Sequence, residues 1–243
     1  MNSSQIIENE KQSSNSEIED LKINFLKQKI IQSIKDNFIT FISSKTGSGK
    51  STQVPKYLYN YLLNIEKKNK FCIICTEPRS IASENISKYI RNTNRDIKVD
   101  SNNNLYFEKE NYILLYIKEN DLLYLLRKDP YLNKCDILII DEVHERTMKL
   151  DLLFYYLKHF TLSKRNKERG FKLVLMSATF NTDDIHGYFS SIKDNKFTFG
   201  FINQEDLNDN LRDDNYDIFY SNSINNSLHY GNTKFNELNM GKF

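Results

Sequence analysis

Phe38-Ile39-Thr40-Phe41-Ile42-Ser43, followed at once by Ser44-Lys45-Thr46-Gly47-Ser48-Gly49-Lys50-Ser51-Thr52, is the stretch that decides the fold. The first six residues are mostly apolar or β-branched and have the length of a buried strand. From about Lys50 to Ile65 the spacing predicts a helix. The loop between them has the composition a triphosphate demands. Crowded anionic oxygens need many donors at close range. Glycine lets the backbone wrap tightly enough for its N–H groups to converge, and a helix N-terminus adds partial positive charge. In such a loop Thr46, Gly47, Ser48, Gly49, Lys50, Ser51 and Thr52 form the binding cradle. Lys50 reaches the β- and γ-phosphates, and the Ser51 hydroxyl coordinates Mg²⁺. The first glycine of the G-x-x-x-x-G-K-[ST] pattern is Ser44 here, a small residue that fits wherever φ is negative.

Working outward, strand-like and helical runs alternate. A helix is predicted over residues 21–37, before the first strand. Strands follow at about 71–75, 111–117, 135–140 and 171–176, and helices at about 80–91, 121–127, 151–160 and 182–189. Continuous β-branched runs bounded by helices predict an α/β fold with a mainly parallel sheet covered on both faces. The polar residues 1–20 lack aromatics and periodicity, and are expected to be disordered. Residues 193–243 are Asn- and Asp-rich and are expected to form an irregular tail, leaving 21–192 as the folded domain.

A second chemical signal stands at the end of the 135–140 strand: Asp141-Glu142-Val143-His144-Glu145-Arg146. The carboxyl end of a buried parallel strand is where an open α/β sheet meets its ligands. There Asp141 can hold Mg²⁺, and Glu142 can orient and deprotonate an attacking water while lying close to the same metal. Phosphoryl transfer is largely positioning and charge neutralisation, so these parts suffice on this side of a site.

Taken together these segments resemble the DEAH/RNA helicase A group of superfamily 2 helicases, through Asp141-Glu142-Val143-His144 followed by Glu145-Arg146-Thr147. Gln53-Val54-Pro55 extends the phosphate loop as in that group. Thr76-Glu77-Pro78-Arg79 with Ile81-Ala82 looks like its motif Ia, and Ser177-Ala178-Thr179 like its motif III. The resemblance covers roughly residues 21–192 and implies a RecA-like P-loop NTPase domain that binds ATP and Mg²⁺. It implies that Thr76, Pro78 and Arg79 serve the nucleic-acid backbone, and that Ser177 and Thr179 link nucleotide state to domain movement. His144 would act with Lys50 and Glu142 in catalysis, coupling nucleotide to a partner domain; from the residues alone a hydrogen-bonded structural histidine fits equally. Where the group stacks adenine on arginine, Tyr89 stands here, and an aromatic ring can also stack on a base. The group's Arg-Phe reads Tyr106-Phe107, and its Thr-Asp-Gly reads Lys118-Glu119-Asn120. Both departures weaken the case for nucleic-acid binding relative to nucleotide binding.

Composition adds exclusions. With a formal net charge of +2 over 243 residues, no global field draws in nucleic acid, so any such contact must be local. No apolar run reaches the ~20 residues of a membrane span, so no membrane partner is expected. Three cysteines suit a reducing compartment, nuclear or cytoplasmic. Cys72 and Cys75 fall three apart in a strand, which points them to opposite faces and argues against a shared metal.

By the resemblance, a second RecA-like domain, in cis or trans, supplies arginine fingers from a Gln-x-x-Gly-Arg-x-Gly-Arg motif. Nothing after Thr179 resembles that motif, and the only later arginine is Arg212. The expectation is an ATP-binding domain of an RNA helicase that hydrolyses ATP only slowly by itself. Its partner would be single-stranded or duplex RNA. Two alternatives are a stand-alone nucleotide-dependent regulatory module and a DNA helicase or translocase. Glu145-Arg146-Thr147 favours an RNA-type relative over the last.

Overall fold

Strands made of unbroken β-branched runs must be covered on both sides, and the chain achieves this with one sheet between two helical layers. The computed structural model describes residues 22–68, 70–78, 80–107, 112–179, 182–191 and 197–203. A 3₁₀ turn, Lys22–Leu26, leads into α1 (Lys27–Asp36) and β1 (Ile39–Ser43). Then come α2 (Lys50–Asn60), with a π turn at Tyr61–Ile65, β2 (Phe71–Glu77), α3 (Ser80–Thr93) and the short β3 (Val99–Asp100). After β4 (Tyr112–Lys118) follow α4 (Glu119–Lys128), β5 (Ile137–Ile140) and α5 (Met148–Tyr156), the last continuing into a π turn at Leu157–Thr161. The described part ends with α6 (Lys164–Glu168), β6 (Lys172–Ser177), α7 (Thr182–Ser190) and β7 (Phe199–Asn203).

The seven strands run in the order β3-β4-β2-β5-β6-β1-β7, and every described pair is parallel. Residues alternate between the two cores as the pleat requires. Phe41, Ile74, Leu115, Leu138, Leu173 and Leu175 pack with Leu122 and Leu126 of α4 and Leu153 of α5. Ile42, Ile73, Cys75, Leu114, Tyr116, Ile139 and Val174 pack on the other face with Ile30 of α1, Leu58 of α2 and Ile90 of α3. Cys72 and Cys75 fall in different cores, so their thiols lie on opposite sides of the sheet. No helix among the described residues is long and apolar enough to cross a membrane.

The boundary expected at residue 192 is corrected by β7. This strand pairs in parallel with β1 along its whole length, from Ile39↔Phe199 to Ser43↔Asn203. Its apolar content is split by Gly200 and surrounded by Lys, Asn and Asp, so no sustained run signals it in the sequence. What holds it is aromatic. Phe38 stacks on Phe197 with ring centroids 4.7 Å apart, and Phe41 on Phe201 at 4.9 Å. The two-residue β3 escapes prediction through its brevity. Residues 1–20, expected to be disordered, and 204–243 of the expected tail lie outside the described residues.

Gly200 lets β7 sit beneath α1. A Cβ there would run into Ser33 Oγ and the side-chain amide of Asn37. That amide donates to Ser33 O at 2.9 Å, and the Asn37 backbone N–H ends the helix by donating to the same carbonyl. Gly200→Ala is therefore expected to destabilise the domain by about 1–3 kcal/mol, the usual range for overpacking. A denaturant melt with an unchanged midpoint would show that α1 yields without cost.

Candidate nucleotide site

The phosphate loop follows β1 and opens α2, and two of its glycines take up the left-handed conformation it needs: Gly47 at φ +78° and Gly49 at φ +93°. Ser44, in the place of the pattern's first glycine, is buried, and its hydroxyl lies 2.6 Å from Ser48 Oγ. Serine here thus contributes a bond across the base of the loop. Its backbone N–H donates to Ser177 O at 3.1 Å, tying the loop to the end of β6. Lys50 is buried, with its ammonium donating to Ser44 O and, at 3.2 Å, to Lys45 O. Burial lowers its pKa, while Asp141 and Glu142 act in the opposite sense.

Gly47, Gly49, Lys50, Ser51, Thr52, Tyr89 and Glu142 line one cleft of about 360 Å³. The loop, the carboxylate expected to act in catalysis and the expected base-stacking ring are thereby brought to one place. Tyr89, on α3, is 40% exposed, leaving its ring open to a base. Thr46 is exposed beside this lining, and Ser48 is turned inward.

On the other side stand the acids. Asp141 begins where β5 ends. Its N–H donates to Thr76 O at 3.2 Å, and its Oδ1 accepts from the Glu142 N–H at 2.8 Å. The Ser51 hydroxyl donates to the same carboxyl. Burial raises the Asp141 pKa against that bond. Glu77 is quoted within a motif in the sequence reading but given no role there. It is buried at the end of β2, and burial followed by the neighbouring Asp141 carboxyl raises its pKa. An acid at the end of a buried apolar strand, at the same sheet edge as Asp141, is the signal that could have found it. Two buried carboxyl oxygens here, Glu77 Oε1 and Asp141 Oδ2, have no hydrogen-bond partner, and Glu142 Oε2 faces only His144 Nδ1 at 3.2 Å. Unpartnered buried acceptors beside a hydroxyl suit a divalent cation, and Mg²⁺ characteristically takes only one or two carboxylates and completes its shell with phosphate and water.

Glu142 sits at φ +53° and Arg146 at φ +43°, left-handed positions that cost a non-glycine residue about 1–3 kcal/mol. Such strain gathers where geometry matters more than stability. Past Glu142 the chain turns through Val143–Glu145, which places His144 Nδ1 3.2 Å from Glu142 Oε2 and 3.2 Å from Ser177 Oγ. Ser177 donates its one hydroxyl proton to Thr179 O at 2.5 Å, so its oxygen accepts from histidine. Nδ1 of His144 must then carry a proton, which also suits the facing Glu142 carboxylate.

Thr147 caps α5 by accepting from the Leu150 N–H at 3.0 Å and donates to buried Glu119 at 2.9 Å. Tyr106 donates to Asp129 Oδ2 at 2.6 Å, so the Tyr106-Phe107 departure secures the loop after α4. The expected nucleic-acid contact of Thr76 is corrected. Its side chain is 1% exposed, and its hydroxyl is directed to Ile139 O at 3.4 Å. Its carbonyl instead holds the Asp141 N–H at 3.2 Å. Pro78 is half-buried at the exit of β2, and Arg79 lies outside the described residues.

Comparison with known proteins agrees with this geometry. A protein named probable ATP-dependent RNA helicase DHX40, from Rattus norvegicus, is 30% identical over 173 residues, covering 68% of this chain and 21% of its own length. ATP-dependent RNA helicase TDRD9 from Mus musculus is 32% identical over 188 residues, covering 75% of this chain and 13% of its own. ATP-dependent RNA helicase HrpA from Borreliella burgdorferi is 31% identical over 169 residues, covering 68% and 20%. The chain spans about a fifth or less of the length of these relatives. Residues 26–186 match the DEAD/DEAH box helicase family, and with its RecA-like sheet, phosphate loop and acidic pair the chain belongs to that family.

Proposed function

We propose that this domain binds a Mg²⁺–nucleoside triphosphate, ATP above all, and contributes one face of an RNA-remodelling motor whose other face is a second RecA-like domain. The single observation that carries this reading is the shared cleft of Lys50, Ser51, Tyr89 and Glu142. RNA as the remodelled partner follows from the relatives, which are named as RNA helicases.

Backbone N–H groups of the loop and the start of α2 face the phosphates, while Tyr89 offers its ring to the base. Lys50 leaves the carbonyls of Ser44 and Lys45 for the phosphate oxygens, exchanging two neutral acceptors for charged ones. Ser51 and Asp141 would hold Mg²⁺, with Glu142 beside it. When bound, the ion neutralises charge on the β- and γ-phosphate oxygens. Glu142 takes a proton from the attacking water as its oxygen bonds to the γ-phosphorus and the bridging oxygen leaves with the diphosphate. His144 orients Glu142 and passes its position on to Ser177 and Thr179. Arginine fingers of a second domain, worth about 10³–10⁵ in rate where measured in NTPases, would complete the charge balance. Pro78 and Arg79 remain our proposed nucleic-acid contacts, and a nuclear or cytoplasmic home remains the proposal from the free cysteines.

Lys50→Ala is expected to weaken nucleotide binding by about a hundredfold, the upper range for a lost charged hydrogen bond. Unchanged affinity in a fluorescent-nucleotide titration would misplace the phosphate loop. Glu142→Gln should bind as the parent does and release phosphate about 10²-fold more slowly or less, as for removal of a general base. Equal phosphate release by the two proteins would strip Glu142 of its role. In a strand-displacement assay the 243-residue chain should separate no RNA duplex. Unwinding by it would overturn the need for a second domain.

A further inference from the structure

Pro55 lies inside α2, one turn beyond Ser51. In an α-helix each carbonyl accepts from the N–H four residues on, and proline has none. The Ser51 carbonyl therefore lacks its helical donor. The proline ring also crowds the carbonyl four residues before it and turns that group outward from the helix. Outward here means toward the sheet. Tyr116 of β4 places its hydroxyl in this gap and donates to Ser51 O at 2.7 Å.

The donor is held as rigidly as the fold permits. Tyr116 has no solvent exposure, and on its strand it is registered against Cys75, which is in turn registered against Ile139. This row lies two residues before Glu77 and Asp141 on their strands. Burial raises the phenol pKa well above its ordinary value, so the hydroxyl keeps its proton and stays a donor. Ser51 thus receives one bond from Tyr116 through its carbonyl and gives one to Asp141 through its hydroxyl.

We propose that Tyr116 is a positioning residue of the nucleotide site, standing in for the N–H that Pro55 lacks. It fixes the first turn of α2, and with it the Ser51 hydroxyl and the root of Lys50. The inference rests on the reading that this turn holds Mg²⁺ and triphosphate. A role confined to general stability would not depend on which residue occupies position 55.

The test compares the full chain with Tyr116→Phe, Pro55→Ala and the double variant. Mg·ATP affinity is measured by titration, and hydrogen exchange of Gly49–Val54 is measured without nucleotide. Tyr116→Phe should bind about fivefold to tenfold more weakly, within the range of one hydrogen bond, and exchange faster in that segment. Pro55→Ala alone should bind within about twofold of the parent, since it only adds a donor. The double variant regains an N–H for Ser51 and should recover both affinity and protection. Parental affinity in Tyr116→Phe, or a double variant as weak as the single, overturns the proposal while leaving the nucleotide site intact. If Tyr116→Phe does not fold but the double variant does, the substituted bond is confirmed. If neither folds, the hydroxyl does something other than replace that N–H, and the proposal falls. A parental chain that fails to bind Mg·ATP overturns the site itself, and this inference with it.

Discussion

A buried ammonium facing buried acids is the constraint on which the nucleotide site depends. Lys50 is 4% exposed and Asp141 2%, and Glu142 stands in the same cleft. Isolated charges this deep are costly, and they persist only where partners or a ligand compensate them. Here the compensation is incomplete. Lys50 rests on two carbonyls, and the buried oxygens Glu77 Oε1 and Asp141 Oδ2 have no donor. A Mg²⁺–triphosphate would supply both missing parts, anionic oxygens for the lysine and a cation for the acids. The parallel sheet makes this possible, because β1 and β5 end at the same edge and deliver their loops side by side.

That edge was legible in the sequence because it is built from local patterns. An apolar strand, a glycine loop and a helix start are contiguous in residues 38–60, and Asp141-Glu142 follows directly on Ile137–Ile140. The elements that escaped are those whose cause is tertiary. β7 is defined by Phe38 and Phe41 stacking on Phe197 and Phe201, contacts more than a hundred residues apart along the chain. Glu77 looks like part of a nucleic-acid motif until the fold sets it against Asp141. Thr76 misleads in the opposite way: its motif points to a ligand, but the sheet closes over it. Ser44 looked like a tolerated departure, whereas its hydroxyl bonds across the loop.

Ser177 joins several of these parts. Its carbonyl holds the Ser44 N–H, its hydroxyl oxygen meets His144, and its proton goes to Thr179 O. A shift of Ser177 would therefore act on the phosphate loop through one bond and on Glu142 through two. Coupling between sites needs a physical element in contact with both, and in the proposed reading this serine would be that element. It needs no long pathway, since all three segments meet at the ends of neighbouring strands β1, β5 and β6.

The left-handed backbone of Glu142 gives this linkage direction. With φ at +53° the residue occupies a conformation that glycine would adopt more cheaply, yet glycine would bring no carboxylate. The chain accepts the strain because the tight turn through Val143–Glu145 brings His144 back over the Glu142 carboxylate. An extended Glu142 would carry His144 away along the strand direction, and the contact to Ser177 would be lost with it. Strain at one residue thus keeps the Glu142 carboxylate and the Ser177 hydroxyl within reach of a single imidazole, so that the contact holding the carboxylate is shared with the end of β6.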